Sequence, residues 1–187
     1  CLAEYGEAVR LLEAFVTAYP GDSFTDEAYL LIGDACLGEG HIEEGFAAYK
    51  MVRPESRRFF EDAWFKQGNA YKLLEEIPTM REHFESFVAG YPASPRLPEA
   101  VYWIGWTHTR EGETEEARRI YWETIETLGD DPERTSMTDL FAGLPKVYPS
   151  GTGREELLRR LQILKARAAA EKKITLALRA GWAKSLV

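Results

Sequence analysis

The amino-acid sequence predicts an all-α fold built from antiparallel helix hairpins. Three observations carry that expectation. A glycine-centred segment recurs at nearly constant spacing. Apolar residues fall three and four apart on either side of it. Small residues and aromatics occupy matching phases in each copy.

The recurring segment is read three times without gaps: Glu27 to Ala35, Asp62 to Ala70 and Glu99 to Thr107. Gly33 and Gly68 lie 35 residues apart, and Gly68 and Gly105 lie 37 apart. Each copy has an acid, then Ala (Ala28, Ala63, Ala100), then a bulky residue, then the glycine. Glycine inside a helix costs about 1 kcal/mol against alanine. Three at one phase imply a close helix–helix approach that outweighs that cost. Gly40 and Gly112 stand where the first helix of a pair must turn, which suits a left-handed C-terminal cap. The third turn, Glu75-Glu76-Ile77-Pro78, has no glycine and is expected to use a cap and Pro78 instead. The second helices begin near Glu43-Glu44, Glu75-Glu76 and Glu115-Glu116, where acids favour the helix dipole. They carry Tyr49, Phe84 and Tyr121, expected to fill the gap between neighbouring hairpins. Before the first full copy, Tyr5 to Leu12 reads as the second helix of a half-unit whose first helix would precede Cys1.

After Pro132 the pattern fades. Ser136 with Asp139 suggests a capping box opening a short helix that Pro145 and the Tyr148-Pro149-Ser150-Gly151-Thr152-Gly153 stretch end. Arg154–Lys172 and Ile174–Val187 read as two further helices, the former with Leu157, Leu161, Leu164 and Ala168 on one stripe. The expected organisation is a repeat array over 1–132, with repeats at about 27–54, 61–92 and 98–132. A degenerate repeat and basic capping helices follow over 133–187.

These runs resemble the tetratricopeptide repeat, a helix–turn–helix unit of about 34 residues with this order of bulky residue, glycine, alanine and aromatic, closed by proline. The resemblance implies a tetratricopeptide-type right-handed superhelix of antiparallel helix hairpins. Gly45 and Met80 stand where the family has Ala, a change of packing volume only. Tyr19-Pro20 and Tyr91-Pro92 supply closing turns, each followed by small polar residues. With the stretched spacing, those turns resemble periplasmic repeat proteins of Gram-negative bacteria, such as the Tol-Pal-associated coordinator family and the lipoprotein of the outer-membrane assembly machine. That likeness implies a periplasmic or outer-membrane-peripheral location, with the cytoplasm as the alternative. Cys1 is then either a lipidated first residue or internal to a longer chain, and the half-unit favours the latter.

Composition narrows the function. The 187 residues are 45% hydrophobic and 29% charged, with a net charge of -8. An acidic chain is poorly suited to generic phosphate binding, so no nucleic-acid partner is expected. No stretch approaches the ~20 apolar residues of a membrane helix, so no direct membrane insertion is expected. The charge is uneven, because Arg154 to Val187 holds nine Lys/Arg against three Asp/Glu. That basic region reads as a solvated or charge-complementary outer face rather than a membrane or nucleic-acid patch. Cys36 reads as a buried apolar residue. His41, His83 and His108 have no metal-ligand spacing, and no phosphate loop or nucleophile motif is present. No catalytic residue, cofactor or metal is therefore assigned.

The expected function is a non-catalytic scaffold that binds a protein or peptide partner. The alternative is an accessory module of a larger enzyme or an envelope assembly. In a curved array the first helices line the concave side. Their outward positions are Leu30, Asp34 and Leu37, then Phe65, Asn69 and Lys72, then Tyr102, Trp106 and Arg110. Aromatic and Arg side chains are frequent interface anchors, and Asn69 can serve a peptide backbone as donor and acceptor. Certain eukaryotic members of the family grip a terminal carboxylate with a Lys/Asn/Arg clamp, but only Asn69 matches its phase. Half-units at both ends also allow self-association through open repeat ends.

Overall fold

The computed structural model describes residues 2–149 and 151–187 as ten α-helices and one short 3-10 turn. The helices are α1 (Leu2–Ala18), α2 (Thr25–Glu39), α3 (Ile42–Lys50), α4 (Arg57–Leu73), α5 (Ile77–Gly90), α6 (Leu97–Arg110), α7 (Thr114–Leu128), α8 (Met137–Val147), α9 (Thr152–Ala170) and α10 (Ile174–Ala183). Cys1 lies outside the described residues. Two compact units divide at Thr79, inside α5, and each is described by itself.

In the first unit, α1 lays Val9, Leu12, Phe15 and Val16 against Ala28, Ile32 and Cys36 of α2. Cys36 is thus a buried apolar residue, as its sequence setting suggests. The α2–α3 hairpin closes around Gly33. A β-carbon there would come within 2.2 Å of the Tyr49 ring. The aromatic fills the space inside its own hairpin and also meets the next one, where Ala63 and Lys66 of α4 lie beside it. Steric exclusion of a side chain is what requires glycine here.

The second unit repeats that device. A β-carbon on Gly105 of α6 would fall 2.2 Å from the Tyr121 ring of α7. Helix α8 then packs on α6 and α7, burying Met137, Leu140, Phe141, Leu144 and Val147. Helix α8 runs past Pro145 to Val147 and stops at the Tyr148-Pro149 turn, so the second of the two expected stops is the one that ends it. A proline in the last turn forfeits one hydrogen bond, and the burial of Leu144 and Val147 offsets it. Helices α9 and α10 pair as another hairpin, with Leu157, Leu161, Leu164 and Ala168 buried as their stripe predicts. Helix α10 stops at Ala183, and residues 184–186 form the 3-10 turn.

One turn geometry joins all four hairpins. Residues Gly40, Glu75, Gly112 and Lys172 have φ of 86°, 60°, 84° and 60°. At each, the next N–H reaches back to a first-helix carbonyl: His41 to Cys36 (2.9 Å), Glu76 to Tyr71 (2.9 Å), Glu113 to His108 (2.8 Å) and Lys173 to Ala168 (2.8 Å). This is the left-handed C-cap, so the expectation for Gly40 and Gly112 holds. Glu75 adopts it without glycine. Glu75-Glu76 is consequently part of the turn and not of the first turn of α5, where only Pro78 takes the early position.

The capping box at Ser136 does not form. Neither Ser56 nor Ser136, which precede α4 and α8, caps its own helix. Each reaches back to the start of an earlier first helix. The Ser136 hydroxyl accepts the Glu99 N–H of α6 (3.2 Å) and donates to the Pro95 carbonyl (2.9 Å). The Ser56 hydroxyl donates to the Asp26 carboxylate of α2. Asp26 also accepts the Arg53 N–H (3.0 Å) and its guanidinium (2.8 Å). Burial alone would raise the Asp26 pKa, but the Arg53 and Ser56 hydrogen bonds outweigh it and hold the carboxyl below its ordinary range. An orphan helix-end donor or a buried carboxylate is thereby satisfied by the neighbouring repeat.

Candidate partner-binding surface

The expected outward positions of the first unit lie on α2 and α4. Leu30 is half-buried and leans on the cluster of Tyr49, Val52 and Ala63, which Leu37 also flanks. One turn on, the Asp34 carboxylate accepts the Tyr49 hydroxyl (2.8 Å) and pairs with the Lys66 ammonium. Lys66 also sits 5.9 Å from the Tyr49 ring centroid. Burial, with Asp34 beside it, drives the Tyr49 hydroxyl far above its usual pKa. Asp34 thus fixes the hairpin as well as presenting charge. Asn69 is exposed and Lys72 half-buried on α4. Phe65 departs from the expectation: only 7% exposed, its ring belongs to the interior. A phenylalanine beside the hairpin stripe gains about 1.5–3 kcal/mol by turning inward, so Phe65 is not an outward anchor.

The second unit gathers a denser surface on α6. Trp103 sits edge-to-face with Tyr102 (5.2 Å between centroids) and with Trp106 (5.9 Å). Tyr102 stacks on Tyr121 at 6.2 Å, and Phe84 stacks on Trp103 at 6.3 Å. Tyr102, Trp103 and Trp106 are half-buried, leaving part of each ring at the surface. The Arg110 guanidinium lies 5.6 Å from the Trp106 ring centroid. Lys146 of α8 lies 5.2 Å from the Tyr102 centroid and donates to its hydroxyl at 2.9 Å. The Tyr121 hydroxyl, displaced upward in pKa by burial, donates to the Tyr102 carbonyl at 2.8 Å. Aromatic pairs contribute about 0.5–1.5 kcal/mol beyond their buried area. The rings are therefore held in place before any partner arrives, which lowers the ordering penalty of binding.

The sequence places Tyr102, Trp106 and Arg110 at outward positions but does not single out Trp103, Lys66 or Lys146, which the structure sets beside the expected residues. Trp103 carries its own signal, since it adjoins Tyr102 and lies three residues from Trp106 on one helix. Lys146 carries none, because the repeat frame lapses before α8 and gives it no phase.

The other chemistry-bearing residues have structural partners. His41 precedes α3 and is exposed. His83 meets Phe84 edge-on at 5.5 Å. His108 bonds to Glu113 (2.6 Å), not to the nearby Glu111, which instead pairs with Arg81. Among the described residues no group of three His, Cys, Asp or Glu could hold a metal ion. Among them, too, no helix is long and apolar enough to cross a membrane. In the basic C-terminal region, Arg179 donates to the carbonyls of Gly129 (2.8 Å), Asp131 (2.9 Å) and Arg134 (2.9 Å). Part of the positive charge thus ties α10 to the end of α7.

The comparisons agree with this architecture. Residues 62–94 match the tetratricopeptide repeat family. The fold is the tetratricopeptide type. A Podosopora anserina crystal structure, described as a kinesin light chain with nearly identical tetratricopeptide-like repeats, superposes with a TM-score of 0.58 in a single-substitution variant. It is 17% identical and covers 91% of this chain and 90% of its own. A second structure of those repeats gives a TM-score of 0.55 at 14% identity, covering 98% of this chain and 88% of its own. No curated protein matches the chain. Tetratricopeptide repeats generally mediate protein–protein interaction and are typically non-catalytic scaffolds.

Proposed function

We propose that this chain is a non-catalytic scaffold that binds an extended peptide or helix of a protein partner through its first helices. The observation carrying this reading is the α6 surface, where Tyr102, Trp103 and Trp106 form one locked aromatic cluster flanked by Arg110 and Lys146. Rigid aromatics lose little conformational freedom on binding, and the two cations suit carboxylates at the rim. Within the first unit, Asp34, Asn69 and Lys72 offer polar contact and Leu30 an apolar one. A periplasmic or outer-membrane-peripheral setting is part of the proposal and rests on the Tyr-Pro turns and the repeat spacing.

The test is affinity capture on the wild-type chain and on a Tyr102→Ala/Trp106→Ala variant, after circular dichroism confirms equal helicity. Photo-crosslinking from position 110 then maps the contact. The proposal expects a partner retained by the wild type, lost from the variant and crosslinked at 110. Equal retention by both folded chains would overturn it.

A further inference from the structure

A second surface lies between α7 and α9, on the layer of the second unit that the α6 cluster does not use. A cleft of about 330 Å³ is lined by Glu115, Arg118, Arg119, Trp122, Tyr148, Glu156 and Arg160. A second cleft of about 210 Å³ shares Trp122 and Arg160 and continues past Ile163 to Arg167. Together they make one groove along both helices.

Its walls are pre-set. The Arg160 guanidinium lies 4.3 Å from the Trp122 ring centroid, and Arg118 lies 4.5 Å from that of Tyr148. The buried Tyr148 hydroxyl accepts the Trp122 indole N–H and an Arg160 N–H, each at 3.0 Å. Arg160 is therefore fixed in plane and position before anything binds. Its charge is differently placed from that of its neighbours. Arg118 pairs with Glu115 at 2.5 Å, and Arg119 pairs with Glu116 and Glu123. Arg167 makes a longer pair with Glu126 at 3.5 Å. Arg160 has no carboxylate partner among the described residues. Tyr148 takes one of its N–H groups, and a guanidinium has five. A half-buried, stacked guanidinium in this state is built to receive a carboxylate side-on.

The rest of the groove restricts the ligand further. Ile163 is 60% exposed beside Arg160, an apolar foothold on the same helix. Arg160 and Arg167 are seven residues apart on α9, about 10 Å at 1.5 Å per residue. Extended chain advances about 3.3 Å per residue, so two carboxylates three residues apart, with an apolar side chain between them, span that distance. We infer that the α7–α9 groove binds an extended acidic peptide segment, with a carboxylate on Arg160 and an apolar side chain against Ile163.

The test uses the full chain and a fluorescein-labelled peptide of sequence Glu-Glu-Leu-Glu-Glu, followed by anisotropy, with Gln-Gln-Leu-Gln-Gln as its neutral counterpart. The wild type is expected to bind the acidic peptide saturably, more weakly as salt rises, and at least about tenfold more tightly than the neutral one. Arg160→Gln should weaken binding by at least about tenfold. Glu156→Gln, which removes an acid from the exposed lip, should tighten it about twofold or more. That gain separates the site from any loss caused by misfolding. Absence of binding, equal affinity for the two peptides, or wild-type affinity in folded Arg160→Gln would each overturn the inference.

Discussion

The α6–α7 and α9–α10 hairpins have the same frame with the packing roles exchanged. In α6–α7, glycine sits on the first helix, seven residues before the left-handed turn residue Gly112, and Tyr121 projects onto it from the second. In α9–α10, the position seven residues before the left-handed Lys172 is Lys165, and the glycine is Gly181 on the second helix. Both pairs are sixteen residues apart. A β-carbon on Gly181 would meet the Lys165 side chain at 3.5 Å, an ordinary contact, against 2.2 Å for Gly105 and Tyr121. The comparison teaches that the fold conserves a knob and a hole across the hairpin, while leaving open which helix carries which. A rigid ring makes the hole obligatory. A flexible lysine does not.

The largest expected difference follows from removing the knobs. Tyr121→Ala empties a fully buried site and should cost about 3–5 kcal/mol. Lys165→Ala should stay within about 0.5 kcal/mol. Thermal or urea unfolding of the two variants checks this, and similar losses would mean the hairpins are not held differently.

A smaller effect separates the loop ties. Asp26 and Ser136 each join successive repeats, but only the first titrates. Asp26→Asn should cost about 1–3 kcal/mol. The folded Asp26 pKa lies below the ordinary 3.8, so its contribution is fully present above that range and is lost as pH falls through the folded value. Acid titration of stability should show this loss in the wild type and a flatter profile in Asp26→Asn. Identical profiles would remove Asp26 from the account.

The turns give the smallest effect, with opposite signs. Gly112→Ala places a β-carbon at φ 84° and should cost about 1 kcal/mol. Lys172→Gly relieves the same strain at φ 60° and should gain up to about 1 kcal/mol. Parallel denaturation curves check both, and a loss in Lys172→Gly would show that its side chain matters more than its backbone.

These contrasts explain how much was readable in the sequence. Gly33, Gly105, Gly40 and Gly112 announced the hairpins, because rigid rings and left-handed turns leave glycine little competition. The outward positions Tyr102, Trp106 and Arg110 followed from helical phase. The last hairpin was seen as two helices but not as a repeat, since Lys165 and Gly181 reverse the expected order and Lys172 replaces the turn glycine. Phe65 misled because phase alone does not say whether a large ring folds outward or inward. Lys146, and the α7–α9 groove with its Arg160–Trp122 stack, depend on helices brought together across long sequence separations. The Ser136 tie to α6 was hidden for a related reason. A serine before a helix reads as that helix's cap, and only the neighbouring repeat reveals the other acceptor and donor.

The most direct measurement is urea unfolding of Gly105→Ala beside Gly181→Ala. The two variants are expected to change stability with opposite signs. Gly105→Ala drives a β-carbon into the Tyr121 ring and should lose about 1–3 kcal/mol. Gly181→Ala meets only the flexible Lys165 chain and should gain up to about 1 kcal/mol from helix propensity. Two changes of the same sign and similar size would contradict the exchange of knob and hole between the hairpins.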